Sequence, residues 1–231
     1  MDGLIEFVKK YVHRLWDIYE QLGIKEISIA SDNLRYCLTN PEYIRELGRR
    51  QRLDVASKLW EIYIFGKIAY SLMKICKGVV KIEAEYLYFE WGTPMTHVAY
   101  RYRYGKDPSI KPTLSIVSPH SGKAYLMFFQ FPLLSFNIDI YVMSTDGVDL
   151  GVDAKLRLTA GSSDQFRRYS EVRSIIEREL SKRVLLAVVP YELPSVEIAE
   201  LYERKEVTIV KEDQIEGYIR DHLQSDKIFE Y

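Results

Sequence analysis

The chain has 231 residues, 47% of them hydrophobic, with 33 acidic against 32 basic side chains and a formal net charge of −1. That length makes one domain of ordinary size or a core with an extension. The even charge balance excludes a protein that coats nucleic acid indiscriminately, and no run of about 18 or more apolar residues exists to span a membrane.

Cys37 and Cys76 are isolated in sequence. Their spacing rules out a Cys-rich zinc site or a four-Cys iron–sulfur cluster, and they read as buried thiols of a cytoplasmic protein. The amphipathic N-terminus has no small-residue cleavage site, so no secretory signal is expected. Scarce Asn and Gln among abundant Glu, Lys, Arg and Tyr lean toward a thermophile's composition.

In chain order, residues 3–22 place Leu4, Phe7, Val8, Tyr11, Val12, Leu15, Ile18, Tyr19 and Leu22 on a helical stripe, with Lys9, Lys10, Arg14 and Asp17 largely off it and Gly23 at its end. Lys25 to Ala30 reads as a short strand. Asn40-Pro41 opens a second helix, and the pattern predicts a break at Gly48 and resumption from Leu53 to Lys77. From Val55 to Cys76 that helix is apolar on nearly every side, which predicts deep burial. Glu61 stands inside it between Trp60 and Ile62, where an ion pair with Lys58 or Lys67 is one way to satisfy it. Arg45, Arg49, Arg50 and Arg52 form the densest basic cluster, for which phosphate contact and a plain solvated face both remain open.

Residues 79–135 read as strands over Val79–Glu90, His97–Tyr104, Thr113–Val117 and Lys123–Phe131, punctuated by Gly92, Pro94, Gly105, Pro108, Pro112 and Pro119. In Tyr100-Arg101-Tyr102-Arg103-Tyr104 aromatic and basic side chains alternate, as on a single-stranded nucleic-acid surface or on an ordinary outer strand with Arg in water. His97 and His120 have no ligand-like neighbours and read as structural.

Phe136 to Tyr169 carries the chemistry. Phe136, Ile138, Ile140 and Val142 alternate with Asn137, Asp139 and Tyr141, and after Asp146-Gly147 the residues Leu150, Val152, Ala154, Leu156 and Leu158 alternate with Asp149, Gly151, Asp153, Lys155 and Arg157. That is a β-hairpin with one apolar face, whose other face gathers Asp139, Asp153 and Lys155. Two carboxylates and an ammonium on one side of a sheet are costly unless water, metal or substrate meets them. Ser162-Ser163-Asp164 can cap a following helix, on which Gln165 and Tyr169 share a face. That helix is expected to run to about Lys182. An apolar strand over Arg183–Pro190, a helix over Ser195–Arg204, a strand over Glu206–Val210 and a helix over Asp213–Leu223 follow, an alternation that implies parallel additions to a sheet.

These residues resemble the PD-(D/E)XK nuclease superfamily, in particular its RecB-like branch, over roughly residues 136–190. The matches are Asp139 on one strand, Asp153-Ala154-Lys155 on the next, Gln165-Phe166-Arg167-Arg168-Tyr169 on the helix, and Val184 to Val189 on the closing strand. Asp153 stands where Glu is more common, and no Pro precedes Asp139. A second Glu-x-Lys at Glu203-Arg204-Lys205 lies in a charged, helix-like run and reads as solvated surface.

The resemblance implies an α/β, restriction-endonuclease-like fold, with a mixed central sheet flanked by helices, an N-terminal helical region over 1–78 packed on a core over 79–231, and an extended or inserted β-subregion; a single domain over 1–231 is the alternative division. It implies a nuclease with Mg²⁺ or Mn²⁺ held by Asp139, Asp153 and the Ala154 carbonyl, Lys155 as the catalytic ammonium, and Glu61 where many members place an auxiliary acid. Gln165, Tyr169 and Arg168 would bind substrate. The partner expected is nucleic acid, DNA before RNA, with no membrane and with homodimerisation left open. A catalytically silent nuclease-like fold, kept as a nucleic-acid-binding or assembly module, is the alternative.

Overall fold

A computed structural model of the chain describes residues 2–82, 87–91, 112–133, 136–145, 148–158, 171, 173–174, 177–178 and 183–223. The expected strand at 97–104 with its Tyr/Arg run, the Asp146-Gly147 turn, and the substrate-binding candidates Gln165, Arg168 and Tyr169 lie outside these residues. The helices are α1 (Asp2–Gln21), α2 (Asp32–Thr39), α3 (Arg49–Cys76), α4 (Val196–Glu203) and α5 (Ile215–Leu223), with 3₁₀ turns at Pro41–Glu46 and Glu212–Gln214. The strands are β1 (Ile27–Ile29), β2 (Val79–Lys81), β3 (Leu87–Phe89), β4 (Leu114–Val117), β5 (Ala124–Leu133), β6 (Phe136–Ser144), β7 (Val148–Arg157), β8 (Arg183–Glu192) and β9 (Val207–Ile209).

Seven strands form one mixed sheet in the order β2-β4-β5-β6-β7-β8-β9, and β1 pairs with β3 in a small parallel ribbon. From β2 to β7 the pairing is antiparallel, and from β7 to β9 it is parallel. The parallel β8–β9 pair is joined through helix α4, and the antiparallel run from β4 to β7 is joined by short connections between apolar strands. The fold is α/β, with helices flanking a mixed central sheet.

The long helix α3 is the organising element. It begins at Arg49 rather than Leu53, because the Gln51 side chain reaches back to accept the Gly48 amide at 2.9 Å and so caps the first turn. The helix expected from Asn40-Pro41 is instead a 3₁₀ turn, with Asn40 capping the Glu42 amide, and α2 precedes it where no helix was expected. Gly66 lets α1 lie close against α3, since a Cβ there would stand 2.9 Å from the Tyr19 ring. On the sheet side, Trp60 donates its indole N–H to the Val189 carbonyl at 3.0 Å, tying α3 to β8.

Both faces of the sheet are covered, which corrects the expectation of one apolar face. One core joins α1, α3 and α5 to Ile140, Val142, Leu150, Val152, Ala154, Ala187 and Val189. A second holds Phe128, Phe131, Ile138, Tyr141, Val184, Leu186 and Val188, with Tyr202 of α4. Asp149, placed with the polar residues of the hairpin, is fully buried there and takes hydrogen bonds from the Tyr141 hydroxyl and the Ser144 amide. Cys37 is buried, whereas Cys76 is only half-buried and donates to the Leu72 carbonyl. Among the described residues, no helix is long and apolar enough to cross a membrane.

Candidate active site

The site forms where the regular alternation of two neighbouring strands fails at the same level. In β5, Tyr125, Met127 and Phe129 face the α3 core while Phe128 faces the opposite one, yet Phe131 lies on the opposite face too. In β6, Ile140 and Val142 face the α3 core, but Ile138 faces the other. A period of two would keep Phe129 with Phe131 and Ile138 with Ile140. The residues at the two switches are Gln130 and Asp139. They lie opposite each other between the pairs Phe129↔Ile140 and Phe131↔Ile138, and Gln130 has a left-handed backbone with φ 51°. Such a conformation is costly for a residue with a Cβ and recurs at functional sites.

Next door, the β6–β7 ladder pairs only Ile140–Val142 with Leu150–Val152. Beyond Val152 the carboxylates take over from the backbone. The Asp139 amide donates to Asp153 Oδ1 at 3.2 Å, and the Ala154 amide donates to Asp139 Oδ2 at 3.0 Å. Each aspartate is thus pinned to the other's strand.

Lys155 Nζ lies 3.0 Å from Asp139 Oδ2 and 3.2 Å from Asp153 Oδ2. Glu61 descends from α3 to the same point. Its Oε2 accepts from the Trp91 indole at 2.6 Å and from Gln130 Nε2 at 3.0 Å, and Ser57 donates to its Oε1 at 3.4 Å. Gln130 Nε2 also donates to Asp139 Oδ1 at 3.2 Å, so one amide links two acids. Neither alternative ion pair of Glu61 is realised: Lys58 pairs with Asp54 at 2.8 Å, and Lys67 acts on Glu216. Glu61, Asp139 and Asp153 are 8%, 6% and 2% exposed, so water does little to screen them from one another.

Three carboxylates facing one ammonium set the electrostatics. Burial, then the Asp139 charge, push the Asp153 carboxyl up to about 7, with Lys155 opposing. The same two causes hold Glu61 well above the usual carboxylate range, against the Trp91 hydrogen bond and the Lys155 charge. For Lys155 burial acts downward, but Asp153 and Asp139 outweigh it and keep the ammonium above the ordinary lysine range. Buried acids pushed upward together mark a site with more negative charge than it can hold alone.

The structure therefore brings Glu61, Asp139, Asp153 and Lys155 together, with Ala154 buried between the aspartates. Sequence reasoning missed Gln130 and Trp91. Gln130 has a visible signal, as the single polar residue in Phe128-Phe129-Gln130-Phe131; Trp91 has none beyond its residue type.

A divalent cation, implied by the resemblance, fits the chemistry of these donors. All are hard oxygens of the kind Mg²⁺ and Mn²⁺ take, and one cationic atom, Lys155 Nζ, already reaches both aspartates. As the side chains stand, no group of three or more His, Cys, Asp or Glu among the described residues is arranged to hold a metal. Lys155 lies between the two aspartates, and Gln130 between Asp139 and Glu61.

No family model matches the chain, and no curated protein matches it. Among solved structures it is similar to protein VC1899 from Vibrio cholerae, at 11% identity and a TM-score of 0.32, with 94% of this chain covered. The chain spans about half of that protein, 53% of its length. A likeness so distant carries no argument about fold or function.

Proposed function

We propose that this protein is a divalent-metal-dependent nuclease that hydrolyses phosphodiester bonds of DNA, with a PD-(D/E)XK-type site on a restriction-endonuclease-like fold of the RecB-like branch. The observation that carries the reading is the convergence of Glu61, Asp139, Asp153 and Lys155, far apart in sequence, into one buried cluster whose acids exceed its bases. Strands β2, β4 and β5 are then the extension of the minimal sheet.

Asp139, Asp153 and the Ala154 carbonyl would hold Mg²⁺ or Mn²⁺, which when bound supplies an activated water and neutralises charge developing on the phosphate. Lys155 stays an ammonium through neutral pH and so acts as a fixed positive charge beside the scissile phosphate, not as a base. Glu61, whose charged form is disfavoured by burial and by the Asp139 charge, would stand beside the metal as the auxiliary acid. Gln130 and Trp91 hold its carboxylate in place. By resemblance, Gln165, Arg168 and Tyr169 would grip the substrate backbone.

One observation favours the silent binding module instead: every oxygen of the three carboxylates already has a protein partner. End-labelled single- and double-stranded DNA and RNA, incubated with Mg²⁺, Mn²⁺ or EDTA, separate the readings. Metal-dependent cleavage lost in Asp153→Ala supports the nuclease. Binding without cleavage supports the module, and neither binding nor cleavage rejects both.

A further inference from the structure

Where β7 and β8 end, the molecule opens a cleft of about 690 Å³, lined by Arg49, Arg52 and Leu53 of α3, Leu156 and Arg157 of β7, and Tyr191 of β8. The volume falls within the roughly 300–1,000 Å³ of small-ligand clefts. Its position, outside the carboxyl ends of parallel strands, is where open α/β sheets take ligands.

The lining is suited to an anion that carries a ring. Three guanidiniums share the cleft with one carboxylate, Glu192, whose pair with Arg157 is exposed and 3.6 Å long. Arg49 is exposed at the start of α3 and has no ion pair among the described residues. Arg52 donates Nη2 to the Arg45 carbonyl, and its Nε is, among the described residues, the buried side-chain nitrogen or oxygen without a hydrogen-bond partner. A buried N–H in that state carries a desolvation cost that a ligand oxygen would remove. Tyr191 remains 41% exposed although Phe7 and Trp60 brace its ring edge-on at 4.6 and 5.6 Å, which fixes an aromatic surface toward the cleft.

The cleft also adjoins the acid cluster. Leu156 and Arg157 directly follow Lys155 on β7. Arg52 precedes Glu61 on α3 by about 13 Å of helix axis, at about 1.5 Å per residue. Stacked nucleotides rise about 3.4 Å each, so a strand in one place can reach the other within a few steps.

We propose that this cleft binds a single-stranded segment of DNA beside the scissile phosphate, with phosphate on Arg49 and Arg52 and a base against Tyr191. A base stacks on a side chain only when its face is free, which a closed duplex does not offer. That the bound segment leads to a scissile phosphate rests on the nuclease reading; the binding does not.

The test uses a fluorescein-labelled oligothymidylate and anisotropy in EDTA, with Arg49→Glu and Leu53→Glu as variants. Both residues have exposed side chains, so folding is preserved. Arg204→Glu, at the residue that follows α4, makes the same charge change as Arg49→Glu on an exposed residue outside the cleft. Cleft variants are expected to lose about tenfold or more in affinity. The salt dependence should flatten by about 0.7 in log–log slope for a lost phosphate contact, and Arg204→Glu should change affinity less than about twofold. Unchanged binding in both cleft variants, no binding by the wild type, or an equal loss on a blunt duplex overturns the proposal. Metal-dependent cleavage with an unaltered KM in these variants removes the cleft and leaves the nuclease. Loss of binding in the variants, with no cleavage by the wild type in Mg²⁺ or Mn²⁺, removes the nuclease and leaves the cleft.

Discussion

Two carboxylate clusters, one half-buried around Glu212 and one buried around Lys155, make opposite use of their charge. Glu212, on the 3₁₀ turn before α5, accepts hydrogen bonds from the Tyr63 hydroxyl at 2.6 Å and the Tyr11 hydroxyl at 2.9 Å, and pairs with Arg14 at 2.6 Å. Burial works against its charge, but those donors win and hold its carboxyl below the usual range. One acid meets one guanidinium and two hydroxyls, and α1, α3 and the α5 turn are locked together. Around Lys155, three acids meet one ammonium, and the pKa shifts run upward. The first cluster is charge-balanced and holds the fold. The second is left unbalanced where two strands lose their alternation, the kind of imbalance that the proposed function would use.

The largest expected effect breaks the comparison on activity. Asp153→Ala should fall to background, and Lys155→Ala should lose about 10²–10³ in kcat with substrate binding nearly intact, because the fixed charge acts mainly in the transition state. Glu212→Gln should cut at the wild-type rate per folded molecule. Single-turnover rates on matched preparations decide this, and wild-type turnover by Lys155→Ala would show the cluster to be ornamental.

Stability should respond in reverse. Glu212→Gln weakens charge-assisted bonds and should cost about 2 kcal/mol, a fall of roughly 4–8 °C in Tm for a chain of this size. Asp153→Asn removes a carboxylate from an overcharged site and should leave Tm unchanged or higher. Thermal melts without divalent cations test both, and a marked destabilisation by Asp153→Asn would mean that the site is balanced after all.

Their pH dependences should also oppose each other. The folded Asp153 carboxyl titrates at about 7, against about 3.9 in an unfolded chain. Its stabilising contribution is therefore complete below about pH 4 and lost as pH rises through about 7. Glu212, lowered on folding, contributes above its unfolded value of about 4.3 and loses that contribution as pH falls through its lower folded value. Without metal, wild-type Tm should decline between about pH 4 and 7, and Asp153→Asn should flatten that decline. Glu212→Gln should alter only the acid limb. Identical profiles for all three proteins would remove the distinction.

The smallest effect concerns Gln130. Gln130→Gly relaxes a left-handed backbone while deleting the amide that joins Glu61 to Asp139, so Tm should hold while cleavage drops about tenfold. A variant that melts early and cuts normally would make Gln130 a packing residue.

Much of the architecture was legible because periodicity reports burial directly. The stripe of α1, the all-round apolar run of α3 and the alternating strands after residue 183 each carry their own signal. The limits of α3 and the 3₁₀ form of Pro41–Glu46 were not legible, since single side-chain caps at Gln51 and Asn40 decide them. Glu61 stood out as a carboxylate in an apolar helix, but its partner did not. A choice between Lys58 and residues on strands far along the chain depends on how α3 lies across the sheet.

By itself, the sequence determined that Asp139, Asp153 and Lys155 occupy adjoining strands, because a hairpin pairs residues at fixed distances from its turn. Only the tertiary structure decided that Glu61 and Trp91 meet them, that Gln130 bridges two acids from a left-handed backbone, and that the face carrying the acids is buried. Alternation is a property of a single strand and can be read along it. The switch at Gln130 and Asp139 is a joint property of two strands and the helix above them, and it is settled by packing that no local pattern records.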